Sequence, residues 1–174
     1  MTKDLCLGDL RLRAAELADI EPVRAIERAS ASRFVGTDRA WLADDDPTDA
    51  QTLAERVAAG GLLVACDGEV PVAFVMFREV EGCGYIEQVD VLPSHERRGI
   101  GARLIAAVAD LAPERGWPAL TLSTFKDVPF NAPYYRRLGF EDVEVLTPGM
   151  VEIRVEHEAR GLDERTRVFM RREI

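Results

Sequence analysis

Lysine is nearly missing from this chain: of its 22 lysine and arginine residues only Lys3 and Lys126 are lysine, a compositional skew to which no function is attached. Cysteine is limited to Cys6, Cys66 and Cys83, an odd number without C-x-x-C spacing. That excludes a disulfide framework and fits a reduced, cytoplasmic protein. Long hydrophobic runs are missing too. The longest, Val70–Phe77, is broken by Pro71 and is far too short to span a bilayer. Lys3 and Asp4 precede any apolar stretch, so no signal peptide is visible and no membrane role is expected. Positive charge is in deficit, and the net charge of −9 argues against a nucleic-acid partner, whose binding depends on neutralising phosphates. The same charge suits a cationic small molecule, although acidity for solubility explains it equally. With 47% apolar residues over 174 positions, a single domain spanning 1–174 with a real core is expected.

What is present concentrates in Val91-Leu-Pro-Ser-His-Glu-Arg-Arg-Gly-Ile-Gly101. Tyr85–Leu92 before it is rich in β-branched and aromatic residues and reads as a strand. Ile100, Leu104, Val108 and Leu111 after it recur at helical spacing. A strand therefore feeds a tight turn that opens a helix. The first amides of a helix lack intrahelical partners, and the macrodipole places partial positive charge there. Gly99 and Gly101 let an anion approach the main chain, and Arg97 and Arg98 add two charges. This is the chemistry of a pyrophosphate seat. No Gly-Lys-Ser/Thr ending follows, which excludes a Walker loop, and Leu104 stands where a dinucleotide fingerprint needs its third glycine.

The remaining pattern, V-x-P followed by R/Q-x-x-G-x-G/A, resembles the coenzyme A loop of the GNAT superfamily of N-acetyltransferases. One position departs from it: Glu96 replaces the usual Arg or Gln three residues before the first glycine. A second block, Asn131-Ala-Pro-Tyr-Tyr-Arg-Arg-Leu-Gly-Phe140, resembles the downstream motif in which a short helix ends in Y-x-x-L-G-F. The resemblance covers essentially the whole chain and is strongest over residues 62–141. It implies an α/β fold of α+β type: a mixed, mostly antiparallel sheet of six to seven strands, splayed beside strand 4 and flanked by helices.

The residues themselves give a compatible element order. Leu10–Ala14 reads as a strand, and Asp19 or a neighbour starts a helix through Ser30 whose faces are set by Ile20, Val23, Ile26 and Glu27. Residues 31–47 show no regular pattern. Thr48 and Gln51 form a capping box for a helix to Ala59, closed by Gly60-Gly61. Leu62–Cys66 and Val70–Val80 are strands joined across Asp67-Gly68, and Gly82–Gly84 turns the second into the Tyr85 strand. Pro113-Glu-Arg-Gly116 stops the helix of the anion turn. A strand over Ala119–Phe125, the Asn131 helix and a strand from Phe140 to Leu146 follow. Residues 150–162 fit strand or helix equally, and Arg165–Arg171 reads as the closing strand.

The resemblance implies the chemistry. An amine acceptor attacks the thioester of acetyl-CoA, the acyl-donor cosubstrate, directly in a ternary complex, with no metal. The backbone amide N–H groups of Gly99, Ile100, Gly101 and Ala102 would hold the pyrophosphate with Arg97 and Arg98. The pantetheine arm would pair with the backbone of Val89, Asp90 and Val91, and the N–H near Val89 would stabilise the oxyanion. Asn131 would bind the cofactor, unless it merely caps its helix. Tyr135 would protonate the leaving thiolate, while Tyr134 packs. Glu87 is the leading base, acting through water, with Asp90 as runner-up. His95 caps or faces solvent beside the phosphates, and His157 has no assigned role. Trp41 and Asp44–Asp46 fall where an acceptor wall is expected and read as an amine-recognition loop or a solvated acidic one. A Cys83 acyl-enzyme lacks a partner base. The acceptor is expected to be a small-molecule amine. A protein N-terminus or lysine, a catalytically silent acyl-CoA-binding domain and homodimerisation all stay open.

Overall fold

A computed structural model describes residues 10–174. Cys6, Lys3 and Asp4, on which expectations about redox state and a leader partly rest, lie outside the described residues. Seven strands form one sheet: β1 (Leu10–Ala14), β2 (Leu62–Asp67), β3 (Val70–Val80), β4 (Cys83–Val91), β5 (Ala119–Phe125), β6 (Glu141–Asp142) and β7 (Arg167–Glu173). Their order is β1-β2-β3-β4-β5-β7-β6. The β1–β2, β2–β3, β5–β7 and β6–β7 pairs are antiparallel, and β4–β5 is parallel. The β4–β5 ladder joins Gly84–Ile86 to Leu120–Leu122 and ends there, before Val89. Two turns set this up. Gly68-Glu69 joins β2 to β3, one place beyond the expected Asp67-Gly68. Glu81-Gly82 joins β3 to β4 with φ of 49° and 71°, the doubly left-handed geometry whose twist matches the strands it connects.

The chain divides into two compact units. The first runs to Arg78 and resumes over Gln88–Ala107. Its helices α1 (Ile20–Ala31) and α2 (Ala50–Ala58) present Val23, Ile26 and Leu53 to Leu62, Val64, Phe74 and Met76. The cap of α2 is not Thr48, as the capping-box pattern implied. Asp49 holds that place, accepting from the Thr52 N–H at 2.9 Å and the Thr52 hydroxyl at 2.7 Å. An ionised carboxylate is among the best N-caps, and its use here releases Thr48 for other bonds. The segment without regular pattern folds as two 3-10 turns, Ser32–Phe34 and Ala40–Asp44.

The second unit comprises Glu79–Glu87 and Val108–Ile174. Helix α3 (Ile100–Asp110) ends within it, and α4 (Ala112–Arg115) stops at Gly116 in the left-handed conformation, as the Pro113–Gly116 signal required. Helix α5 (Ala132–Arg137) leads through Gly139 to the buried Phe140. The strand expected over Phe140–Leu146 contracts to the two residues of β6, an exposed edge strand. Residues 148–159 are a helix, α6 (Pro148–Ala159), so the alternation of Val151, Ile153 and Val155 is not that of a strand. Met150, Ile153 and His157 face inward at helical spacing, and Met150 and Ile153 pack with Tyr85 and Phe169. The Thr147 hydroxyl caps α6 by accepting from the Met150 N–H, with Pro148 in the first turn. Among the described residues no helix is long and apolar enough to cross a membrane.

Candidate active site

The turn between β4 and α3 carries two left-handed residues. After the 3-10 turn Pro93–His95, Arg97 takes φ of 60° and Gly99 takes φ of 73°. Helix α3 then begins at Ile100, and the N–H groups of a helix's first turn have no intrahelical partner. A β-carbon built on Gly99 would meet nothing within 4 Å, so the space above the turn is open. Arg97 and Arg98 are exposed beside it, and an Arg98 guanidinium N–H donates to the Ser94 carbonyl at 3.4 Å. Glu96 is exposed as well. His95 is tied back to the β2–β3 turn, its Nε2 lying 3.3 Å from Asp67 Oδ2 and its Nδ1 2.8 Å from the Ser94 hydroxyl.

Next to this turn the first unit holds a polar network that no motif announces. Asp90 is 3% exposed and bonded to the Arg33 guanidinium and, at 2.6 Å, to the Gln88 amide. Burial pushes its carboxyl up, and the Arg33 charge opposes that shift. The Asp90 carboxylate is thus buried and engaged by Arg33, whose own side chain is partly exposed, an arrangement typical of a structural ion pair. Glu27, on α1, accepts from the Thr48 N–H at 2.9 Å and from the Thr48 hydroxyl at 3.2 Å, and Gln88 hydrogen-bonds it too. The Thr48 hydroxyl also lies 3.5 Å from Gln88 Oε1. Burial raises the Glu27 carboxyl above its ordinary range, these bonds lower it, and the neighbouring Asp90 raises it further. One signal in the sequence pointed here: Glu27 stands four residues after Val23 and seven after Ile20, an acid on the apolar stripe.

The second unit carries the aromatic motif. Tyr135 is half-buried on α5, edge-on to Tyr134 with centroids 5.4 Å apart and to Phe140 at 5.9 Å. Tyr134 lies beneath the Arg137 guanidinium, and burial raises its phenol above the ordinary value. Asn131 begins α5 without capping it through its side chain. Its amide nitrogen donates to the Thr124 hydroxyl at 2.7 Å, which leaves Oδ1 buried with no hydrogen-bond partner. Near the same sheet face, Arg167 is held by the Ser123 carbonyl at 2.9 Å and by Glu164 at 3.4 Å, and its charge interacts with Tyr85 and Tyr135.

Glu87 is half-buried on β4. His157 packs on Phe169 and pairs with Glu164 at 2.9 Å. Cys83 is buried, its sulfur 3.4 Å from an Arg171 guanidinium nitrogen. Trp41 is 46% exposed in its 3-10 turn, and Asp44, Asp45 and Asp46 are exposed after it.

A mixed sheet whose fourth strand runs through a glycine-bearing turn into a helix defines an α/β architecture. The acetyltransferase (GNAT) family model matches residues 22–140, and the chain belongs to that family. Its fold is also that of solved members of the class. PaiA N-acetyltransferase from Thermoplasma acidophilum, crystallised with coenzyme A, superposes with a TM-score of 0.71 at 12% identity, over 96% of this chain and 100% of that one. N-acetylglutamate synthase from Neisseria gonorrhoeae, complexed with coenzyme A and N-acetyl-glutamate, gives 0.72 at 16% identity, over 97% of this chain and 36% of that one. Arabidopsis thaliana Naa50, bound to the bisubstrate analogue CoA-Ac-MVNAL, gives 0.65 at 15% identity, over 96% and 100%.

Proposed function

We propose that the protein is an N-acetyltransferase that takes the acetyl group of acetyl-CoA to a primary amine of a small molecule. The observation that carries this reading is the turn: left-handed Arg97 and Gly99, open space above Gly99, and the start of α3. The residues fit the donor. The amides of Gly99, Ile100, Gly101 and Ala102 would receive its pyrophosphate, with Arg97 and Arg98 at the rim. The backbone of Val89, Asp90 and Val91 would pair with its amide-bearing arm. The buried, unpartnered Oδ1 of Asn131 would accept one of its N–H groups, which supplies a reason for an otherwise costly orphan. When bound, acetyl-CoA supplies an activated acyl group and a thiol leaving group.

The remaining roles belong to the chain. The Val89 N–H would donate to the oxyanion as charge develops there, a contribution of about 3 kcal/mol for a well-placed donor. The Tyr135 hydroxyl would donate its proton to the departing sulfur and recover one from water. The reaction needs a carboxylate base, and Glu87, acting through a water molecule, is the one that the family resemblance offers. The negative field of a chain carrying −9 supports a cationic acceptor. Release of free CoA thiol, measured across amino acids, polyamines, aminoglycosides and short peptides against a no-amine control, tests the reading. Turnover confined to one small-amine class is the expected result. Turnover on peptides alone would move the acceptor to a protein N-terminus, and uniform silence in the presence of bound acetyl-CoA would leave a binding domain.

A further inference from the structure

We infer that Glu27, rather than Glu87, is the base that receives the acceptor's proton. The inference rests on the acetyl-transfer reading and gives that reaction a residue which no motif carries. Glu27 is half-buried, and its hydrogen-bond partners, the Thr48 N–H, the Thr48 hydroxyl and the Gln88 side chain, are all neutral. The charged groups around it are otherwise engaged. Arg33, from the 3-10 turn after α1, is paired with Asp90 of β4, and Arg24, on the same helix, donates to the Thr48 carbonyl at 3.2 Å and pairs with Glu21. The network thus leaves one carboxylate without a cation, and a protonated amine supplies it.

The position suits the chemistry. Gln88, which touches Glu27, and Asp90 flank Val89, the proposed oxyanion donor, on β4. The Thr48 hydroxyl has one proton and two acceptors, Glu27 Oε1 at 3.2 Å and Gln88 Oε1 at 3.5 Å. With Glu27 ionised, the hydroxyl donates to it. With Glu27 protonated, the carboxyl donates to the hydroxyl, which turns to Gln88. Both states of the base are therefore hydrogen-bonded, and neither strands a buried donor. In the step itself a proton leaves the ammonium for Glu27, and the freed lone pair forms the N–C bond. The C–S bond breaks with its electron pair on sulfur, Tyr135 protonates the thiolate, the nitrogen's second proton passes through water to restore the Tyr135 phenol, and Glu27 releases its proton to solvent. The sum is one amide, one thiol and one proton.

Glu27→Gln and Thr48→Val, compared with wild type in kcat/KM against pH and in acetyl-CoA affinity, test this. A base is inactive when protonated, so wild-type kcat/KM, which reports the free enzyme, falls on the acid side, with a midpoint above the ordinary glutamate value of 4.5. Glu27→Gln is expected to lower kcat by about a hundred-fold or more and to abolish that limb while leaving acetyl-CoA affinity intact. Thr48→Val removes a donor to the ionised form, so the limb is expected to move to higher pH. A Glu27→Gln enzyme with wild-type rate and limb would overturn the assignment and leave the acetyl-transfer reading standing. Equal rate losses in both variants with an unmoved limb would also overturn it, making Glu27 an anchor for the Thr48 loop. Should Glu27→Gln fail to fold, the direction of the Thr48→Val shift decides. A wild-type protein that binds acetyl-CoA and acetylates no amine would overturn the reading and the base together.

Discussion

Asn131 holds a buried carbonyl oxygen without a partner, and Tyr135 stands four residues further on, on the same short helix. Leaving a buried acceptor unpaired costs about 1–3 kcal/mol, so the site is poised for an N–H from a ligand. Asn131→Ala is expected to weaken acetyl-CoA binding, measured by calorimetry, while thermal stability holds or rises. Tyr135→Phe keeps the ring and its contacts with Tyr134 and Phe140, so affinity should persist while kcat falls by roughly ten- to a hundred-fold. An unchanged kcat would remove Tyr135 from the mechanism. Glu27 makes a separate statement about stability. Burial raises its folded carboxyl above the unfolded value of 4.5, so the folded state favours the proton. Its contribution is complete below the unfolded pKa and is lost as pH rises through the folded one. Glu27→Gln should therefore gain in melting temperature relative to wild type as pH rises from the unfolded value of 4.5 through the raised folded one, the opposite of what a purely structural anchor would give.

At the scale of elements, the turn before α3 depends on Gly99 in a left-handed conformation. Alanine meets no steric obstacle there, so its cost is the backbone's alone, about 1–2 kcal/mol, or roughly ten-fold in acetyl-CoA affinity. This turn was legible because everything it needs is local: a strand, two glycines and a helix within one short stretch. β3 and β5 were legible to the residue for a related reason, being apolar runs bounded by turn signals. Helix α6 was not, because Val151, Ile153 and Val155 alternate by accident. Val151 and Val155 are exposed, and only the Thr147-Pro148 start distinguishes helix from strand. The short β6 was not legible because Val143 and Leu146 continue the pattern of Phe140, yet both pack against the Tyr85 and Phe169 cluster and only Val143 adds a backbone bond to β7, its N–H donating to the Phe169 carbonyl at 2.8 Å. The Glu27 network was visible only as an acid on the apolar stripe of α1. It joins residues 27, 48, 88 and 90 from two elements and a loop, and no local pattern encodes that meeting.

Across the whole molecule, burial and charge set two further expectations. Leu53 is fully buried in the α1–α2 core, and truncation to alanine should cost about 2–5 kcal/mol in denaturant unfolding without touching the turn. The net charge of −9 draws a cationic acceptor over distances that salt screens, with a Debye length of about 10 Å at 0.1 M. The acceptor's KM should therefore rise with ionic strength while kcat stays level, and a KM indifferent to salt would assign the acidity to solubility. The salt dependence, unlike the Leu53 result, presupposes an acetyl donor held where the turn lies. Calorimetric titration of wild-type protein with acetyl-CoA tests that most directly. Saturable binding at one site per chain, weakened in Gly99→Ala, is the expected result; no binding to wild type would contradict the cradle and the acetyltransferase built on it.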